Sequence, residues 1–214
     1  MNKHGLADKK RLLIVRLAQI GVLKSSSIIR ALEEVDRADF VPKDLQSLVY
    51  EDTPLPIGGG QTISQPYTVV FMLEQLLVEE GGVVLEIGYG SCWQTALLAH
   101  LVGSAGRVYA FERLPFLCAW GKDNLQAYPD LARRVRLFCK SGEQGYPEEA
   151  PFDRIIAAAE VAKVPPAWRT QLGSQGRLVY PKDGTLVVET KKRDGSFETS
   201  VFPGFVFVPF VEEY

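Results

Sequence analysis

The chain has 214 residues, a formal net charge of −2, 46% hydrophobic residues and 23% charged residues. This composition is typical of a globular protein that can bury a substantial core, and it lacks the basic surplus of a bulk nucleic-acid binder. No apolar run approaches the roughly 18 residues that span a bilayer, and no apolar signal region follows the polar N-terminus. We therefore expect a cytoplasmic protein without nucleic-acid or membrane partners; the sequence does not indicate its oligomeric state.

The cysteines and histidines do not predict a metal site. Cys92, Cys118 and Cys139 are scattered and lack metal-ligand spacing, and the chain has only two histidines, His4 and His100. We expect buried or half-buried reduced thiols. Cys92 precedes a predicted helix, where a helix N-terminus can lower the pKa of a thiol.

The first 80 residues predict helices and an ordered loop. Apolar residues recur at helical spacing over 10–20 and 25–35, with a serine among residues 25–27 as the cap of the second helix. Three prolines and the glycines at 58–60 predict an extended, ordered loop over 39–65. Pro66 then predicts the first turn of a helix that runs to about Glu80 and ends at two glycines.

From Val83 onward, strands and helices alternate. Strands are predicted over 83–87, 107–111, 134–139, 152–158 and 176–181, and helices over 94–101, 115–127 and 165–172. Residues 185–192 and 197–202 flank a hairpin turn, and the apolar stretch 206–211 closes the chain. This order predicts an α/β fold with a doubly wound, mostly parallel sheet and an antiparallel C-terminal hairpin. We expect a single domain, 1–214, with a helical and loop part (1–80) and a sheet-bearing part (81–214).

A glycine loop follows the strand Val83–Ile87. Gly88-Tyr89-Gly90-Ser91 leads directly into a helix, so that a ligand can approach main-chain N–H groups at the carboxyl end of the strand. Glu112, at the end of the next strand, is placed to accept hydrogen bonds from ribose hydroxyls. The dinucleotide pattern G-x-G-x-x-G requires glycine where Trp93 stands, which disfavours an NAD-dependent oxidoreductase. The loop alone predicts a nucleotide-type ligand.

The segment from Pro54 to Tyr67, P-L-P-I-G-G-G-Q-T-I-S-Q-P-Y, is more specific. It resembles the signature of the protein-L-isoaspartate O-methyltransferases. The resemblance extends over nearly the whole chain, in the expected order, through Asp36–Pro42, Leu85–Ser91 with Gln94–Ala99, Phe111–Arg113, Ala150–Asp153, Gln171–Leu172, Gly176–Val179 and Phe207–Pro209.

This resemblance implies a Rossmann-like fold that binds S-adenosylmethionine (SAM) and an enzyme that methylates the free carboxylate of isoaspartyl residues in damaged proteins. Such a carboxylate is ionised near pH 7, so that the reaction needs positioning rather than a strong base. By resemblance Ser64 is the catalytic residue, although it can also cap the helix at Pro66. Tyr67 either lines the substrate pocket or only packs against neighbouring side chains. The implied cofactor-binding residues are Thr62, Ile63, Glu86, Gly88, Tyr89, Gly90, Ser91, Glu112, Arg113, Ser141 and Gly142.

The chain departs from the family pattern near the cofactor. Tyr89 stands where a threonine or another small residue is usual, and Cys92 stands where glycine is usual. Lys140-Ser141-Gly142 replaces G-D-G, whose acid contacts the adenine amino group. Loss of this charged hydrogen bond predicts SAM binding weaker by roughly 1.5–3 kcal/mol, about tenfold to a hundredfold, unless Glu143 substitutes for the acid.

Two other functions remain open from the sequence. The changed loop and an unusual acid, Glu160, are compatible with a related methyltransferase that has another carboxylic-acid acceptor. Ser141, in place of an acid, is compatible with a non-catalytic protein that keeps the fold and binds a partner.

Overall fold

The computed structural model describes residues 3–210, with side chains from residue 5 onward. Its helices are α1 Lys3–Gln19, α2 Ser26–Glu34, α3 Pro66–Leu76, α4 Trp93–Leu101, α5 Pro115–Leu125, α6 Pro129–Ala132 and α7 Pro166–Gln171. Its strands are β1 Leu55–Gly58, β2 Gln61–Ile63, β3 Val83–Ile87, β4 Arg107–Glu112, β5 Val135–Cys139, β6 Phe152–Ala157, β7 Leu172–Lys182, β8 Thr185–Lys191 and β9 Phe197–Pro203.

Seven strands form one sheet in the order β5-β4-β3-β6-β7-β8-β9. Neighbouring strands are parallel from β5 to β7, whereas β8 pairs antiparallel with both β7 and β9. The prediction of a mostly parallel, doubly wound sheet with an antiparallel C-terminal hairpin is confirmed. The strand order reverses at β3, and in such sheets ligands bind in the crevice at the carboxyl ends of the strands beside this point.

The central strand β3 is covered on both faces. Val84, Leu85 and Ile87 are at most 2% exposed, as expected for a parallel strand between two layers of helices. Val84 belongs to the hydrophobic cluster that also includes residues of α1, α2, α3 and α4. Leu85 and Ile87 belong to a second cluster, which contains Trp168 of α7.

The segment 39–65, expected to be an extended loop, contains regular structure. Short 3-10 helices cover Arg37–Phe40 and Lys43–Leu48, and β1 pairs antiparallel with β2. Gly59 and Gly60, with φ of 58° and 74°, form the two-residue turn between these strands. Positive φ at both central residues is the requirement of the type I′ turn, which is one of the two favoured for a hairpin loop of this length. The loop prediction was wrong here because a glycine run is also typical of a tight hairpin.

Several predicted boundaries shift in the structure. Helix α3 ends at Leu76 rather than near Glu80, because Leu77 adopts the left-handed conformation, with φ of 52°. Ser25 precedes α2, but its hydroxyl donates to Glu74 Oε2 (2.7 Å) and does not cap the helix. Strand β7 begins at Leu172, four residues earlier than predicted. Residues 206–210 form only an isolated bridge between Glu160 and Pro209, and Val211 lies outside the described residues.

The expectation of three reduced thiols was wrong. Cys118 of α5 and Cys139 at the end of β5 form a disulfide, with their Cα atoms 5.6 Å apart. The two residues are 21 positions apart in sequence and meet because α5 packs beside β5. Cys92 is a buried free thiol.

Candidate functional site

A cavity with about 970 Å³ of space, part of it open to solvent, lies at the carboxyl ends of β3 and β4. It is lined by the β1–β2 hairpin, the glycine loop after β3, the segment after β4, the loop after β5 and the C-terminal segment. The predicted site residues that line it are Thr62, Ile63, Ser64, Gly88, Tyr89, Gly90, Ser91, Glu112, Arg113, Ser141 and Gly142.

The glycine loop is held against the end of β4. The backbone N–H groups of Gly88 and Tyr89 both donate to the carbonyl of Phe111, at 2.7 and 3.1 Å. Gly88 has a φ of 86°, in the left-handed region where a Cβ atom is costly. The turn therefore directs the chain from β3 into α4 beneath the floor of the cavity.

Glu112 closes this loop from the side. Its Oε1 accepts from the backbone N–H groups of Arg113 (2.8 Å) and Leu114 (3.0 Å), and its Oε2 accepts from Gly90 (3.1 Å). A carboxylate offers about four acceptor positions, so that one remains for a ribose hydroxyl. Glu112 is 8% exposed, and its backbone partners fix the direction of the carboxylate.

Glu86 is the predicted cofactor residue that does not line the cavity. It lies within β3, is fully buried, and its Oε1 accepts from Gln94 Nε2 at 3.1 Å. Burial raises the pKa of this carboxyl to about 7, although Thr95 and Gln94 favour the ionised form. Its place in the structure is beneath the glycine loop, where it joins β3 to α4.

Ser64 lines the cavity between β2 and α3. The residue that precedes α3 is Gln65, and no side chain caps this helix. Within the described residues the Ser64 hydroxyl has no hydrogen-bond partner, whereas the Ser64 carbonyl accepts from Arg37 Nη2 at 3.1 Å. The alternative that Ser64 serves as the helix cap is therefore wrong, and its hydroxyl is available to a ligand.

The loop after β5 holds the residues that replace the family acid. Ser141 Oγ accepts from the backbone N–H of Glu143 at 3.2 Å, and the carbonyl of Gly142 accepts from Trp168 Nε1 at 2.9 Å. Glu143 is not among the residues that line the cavity. Lys140 does line it, with its ammonium nitrogen 5.6 Å from the ring centroids of Phe111 and Phe138.

The two unusual residues of the glycine loop are both buried. Burial raises the pKa of the Tyr89 hydroxyl. Burial, with Glu86 nearby, also raises the pKa of the Cys92 thiol well above its usual value. The lowered pKa that a helix N-terminus can produce is not found at Cys92, where desolvation by burial is the largest cause of the raised pKa.

The C-terminal segment forms a wall that the sequence did not predict. Val208, Pro209 and Phe210 line the cavity. The segment is held by Glu160, whose N–H donates to the Val208 carbonyl (2.8 Å) and whose carbonyl accepts from Phe210 (2.7 Å). An apolar run near the end of the chain does not reveal this contact, because the partner lies about 50 residues earlier.

Two residues left open in the sequence do not line the cavity. Tyr67 stacks with Phe71 and Phe205, at centroid distances of 6.2 and 6.4 Å, and so packs rather than contacts a ligand. The Glu160 carboxylate accepts from the backbone of Gly184 at 3.3 Å.

The residues of the cavity fit an adenosyl cofactor with a methyl-bearing side chain. Glu112 retains an acceptor position for a ribose hydroxyl, and Ser141 offers a hydroxyl at the end of β5. The glycine loop permits close approach to the main chain. Among the described residues no cluster of histidine, cysteine and acidic side chains could hold a metal ion, and no helix there is long and apolar enough to cross a membrane. This sheet and this cavity define the class of SAM-dependent methyltransferases.

Comparison with known proteins identifies the group within this class. The family model described as protein-L-isoaspartate(D-aspartate) O-methyltransferase matches residues 8–214. A protein-L-isoaspartate O-methyltransferase of Hyperthermus butylicus is 39% identical and covers 97% of this chain and 90% of the relative. One of Anaeromyxobacter dehalogenans is 43% identical, over 90% of this chain and 92% of the relative. The chain belongs to the protein-L-isoaspartate(D-aspartate) O-methyltransferase family.

Solved structures agree with this fold. One protein-L-isoaspartate O-methyltransferase superposes with a TM-score of 0.85 at 28% identity, over 95% of this chain and 66% of that chain. The structure from Plasmodium falciparum, a complex with S-adenosyl-L-homocysteine, has a TM-score of 0.83 at 23% identity over 92% and 95% of the two chains.

Proposed function

We propose that the protein methylates the free carboxylate of L-isoaspartyl residues in damaged proteins, as a step of protein repair, with SAM as the methyl donor. Family membership supports the reaction and the cofactor. The observation that supports a role for Ser64 is its hydroxyl, which lines the same cavity as the glycine loop and has no partner among the described residues.

The acceptor needs no general base in this site. Its carboxylate is ionised at neutral pH, so that no proton has to be removed before the reaction. When bound, SAM would supply a methyl group on a positively charged sulfur; a carboxylate oxygen would take this methyl as its bond to sulfur breaks, so that a neutral ester and a neutral thioether replace the two opposite charges. A cavity wall that excludes water favours this loss of charge, and Ile57, Val208, Pro209 and Phe210 supply such a wall.

The role proposed for Ser64 is to orient the acceptor. A hydroxyl can donate a hydrogen bond to one carboxylate oxygen and leave the other to face the methyl group. Arg113 and Lys140 also line the cavity and carry positive charge, which attracts an anionic acceptor. Glu112 and Ser141 are proposed to hold the ribose and adenine, respectively.

The test uses a pair of peptides that differ only in one isoaspartyl or aspartyl residue. With labelled SAM, we expect label in the isoaspartyl peptide alone, and equal or absent labelling would refute the proposal. Ser64→Ala is expected to lower kcat by about a hundredfold, with the Kd of S-adenosylhomocysteine, the product left by the methyl donor, unchanged. Ser174→Ala removes an exposed hydroxyl in β7 and serves as the control with unchanged kcat.

Glu160 does not support an alternative acceptor, because its carboxylate is bound outside the cavity wall. A cytoplasmic location and the absence of nucleic-acid partners remain proposals from composition. The disulfide Cys118–Cys139 is unusual for a reducing compartment, so that cell fractionation is the direct test of the location.

A further inference from the structure

Arg37 is a buried arginine to which the sequence assigned no role. It begins the 3-10 helix Arg37–Phe40 and is 2% exposed. Burial lowers the pKa of its guanidinium to about 10, against the opposing effect of Asp52, so that the group is protonated at neutral pH. A buried charge of this kind is costly unless its donors are satisfied; here both terminal nitrogens have partners, whereas Nε is buried without one among the described residues.

The guanidinium donates to three backbone carbonyls. Nη1 donates to Val49 at 2.6 Å, and Nη2 donates to both Thr53 and Ser64 at 3.1 Å. Thr53 lies two residues before β1, and Ser64 directly follows β2. One nitrogen therefore joins the two ends of the β1–β2 hairpin at its base.

The same guanidinium also contacts the element that follows the glycine loop. Its central carbon lies 5.2 Å from the ring centroid of Trp93, which is the first residue of α4. Arginine is suited to both contacts, because its planar group donates in fixed directions and stacks on an aromatic ring. Arg37 thus lies between the hairpin that carries Ser64 and the helix that begins after the cofactor loop.

The backbone at Arg37 is itself held firmly. The Asp36 carboxylate accepts from the backbone of Ala38 (2.9 Å) and from the Tyr50 hydroxyl (2.5 Å), and the Asp36 N–H donates to the Tyr128 hydroxyl (2.8 Å). These bonds fix the backbone next to Arg37, from which its side chain reaches the three carbonyls.

We propose that Arg37 is a positioning residue, which fixes the base of the β1–β2 hairpin and thereby sets the Ser64 hydroxyl relative to the glycine loop. This inference rests on the proposed function, in which Ser64 orients the acceptor. It predicts that Arg37 affects kcat through Ser64 and has a smaller effect on the binding of the cofactor. The effect on binding is smaller because the proposed ribose and adenine contacts, Glu112 and Ser141, lie outside the hairpin.

The first test is Arg37→Lys, which keeps the charge but replaces the fork by a single nitrogen that cannot reach all three carbonyls in the same geometry. We expect kcat for the isoaspartyl peptide to fall about tenfold, because small displacements of a positioning group are costly. The Kd of S-adenosylhomocysteine, from calorimetry, is expected to stay within about threefold. A kcat within twofold of wild type, or a Kd raised in proportion to the loss of kcat, would overturn the proposal.

Arg154→Lys is the matched control. Arg154 also donates to backbone carbonyls, those of Leu77 and Asp153, both at 2.8 Å, and none of these residues lines the cavity. If a loss of backbone anchoring were enough to lower kcat, this variant would show the same decrease. We expect its kcat to stay within about twofold of wild type, because distant sites act independently.

A double-mutant cycle separates positioning from general stabilisation. In a Ser64→Ala background, Arg37→Lys should lower kcat by less than about threefold further, because residues that act through each other are not additive. The same tenfold loss in both backgrounds would overturn the proposal. Should Arg37→Lys fail to fold, Tyr50→Phe, which removes the hydroxyl that binds Asp36 and so loosens the backbone next to Arg37, tests the same coupling in the same cycle.

These outcomes are distinct from a failure of the proposed function. Absence of label in the isoaspartyl peptide with the wild-type protein refutes the function itself. A labelled wild-type reaction combined with additive losses in the cycle refutes only the role of Arg37.

Discussion

At the scale of single residues, Glu86 links stability to pH. Its pKa rises from 4.5 to about 7 on folding, so that the folded state keeps this proton over a range in which the unfolded chain has lost it. The resulting stabilisation is complete below pH 4.5 and is lost as the pH rises to about 7. Its size is at most about 3 kcal/mol, since one pKa unit corresponds to 1.36 kcal/mol.

Glu86→Gln should remove this dependence, because the amide stays neutral and can still bind Gln94. We expect the difference in the free energy of unfolding, variant minus wild type, to be larger at pH 8 than at pH 5. Thermal unfolding at both values measures this difference, with Glu148→Gln, an exposed site, as the control. A constant difference between wild type and Glu86→Gln across this range would contradict the assignment.

Ser141 offers a second test at this scale. An aspartate at this position would present a charged acceptor to the adenine amino group, where the hydroxyl already accepts from Glu143 N–H. We expect Ser141→Asp to lower the Kd of S-adenosylhomocysteine by about tenfold, whereas the neutral Ser141→Asn gives a smaller gain. Calorimetry at one salt concentration decides this, and an unchanged Kd in Ser141→Asp would show that the adenine is held elsewhere.

All of the predicted site residues except Glu86 line the cavity, although the sequence did not predict the whole of its wall. Gly88, Gly90 and Ser91 follow a strand in a pattern that itself defines a ligand loop, and they line the cavity. Glu86 belongs to the same motif but lies within β3, where its side chain is enclosed. Motif membership alone does not distinguish a side chain that faces the ligand from one that supports the loop.

At the scale of elements, the β1–β2 hairpin is held at both ends. Arg37 binds its base, and its tip contacts α5, where a Cβ atom on Gly59 would lie 2.8 Å from Phe116 Cζ. Gly59 also has a φ of 58°. A side chain there would therefore strain the backbone and force the tip or the Phe116 ring to move, and movement of the tip would reach Thr62 and Ile63 in β2.

Gly59→Ala is expected to lower kcat/KM several-fold, with a loss of about 1–2 kcal/mol in the free energy of unfolding from the left-handed conformation. Gly195→Ala is the matched control, because Gly195 has a φ of 84° and no atom within 4 Å of the added Cβ. It should show the same loss of stability with unchanged kcat/KM. If both variants lower kcat/KM equally, the contact with Phe116 has no part in the effect.

The sequence predicted the central strands to within one or two residues, because buried strands are short apolar runs between helices. It did not predict the β1–β2 hairpin, in which the glycine turn was interpreted as loop. It also did not predict the end of α3, where Leu77, not a glycine, takes the left-handed conformation. Such an outlier depends on tertiary contacts, here Arg154 Nε with the Leu77 carbonyl, which no local pattern shows.

At the scale of the whole molecule, the helical part and the sheet share one core. The same hydrophobic cluster contains Leu17 of α1, Leu73 of α3, Val84 of β3 and Ile156 of β6. We propose that residues 1–80 and 81–214 unfold together as a single domain. The expected result is one cooperative transition in denaturant, with coincident curves from tryptophan fluorescence and far-ultraviolet circular dichroism.

A fragment of residues 81–214 tests this proposal directly. Without α1, α2 and α3 it would expose the apolar face that these helices cover, and we expect it to bind a hydrophobic dye and to lack a cooperative transition. A fragment that unfolds cooperatively with the stability of the full chain would instead show two independent units.

The disulfide Cys118–Cys139 gives the protein two chemical forms. It joins α5, which begins three residues after Glu112, to β5, which ends two residues before Ser141. The proposed ribose and adenine contacts thus lie on the two segments that this bond connects. The Kd of the cofactor is therefore defined only for one oxidation state of this cysteine pair. Titrations with and without a reductant measure the Kd of two different forms of the protein.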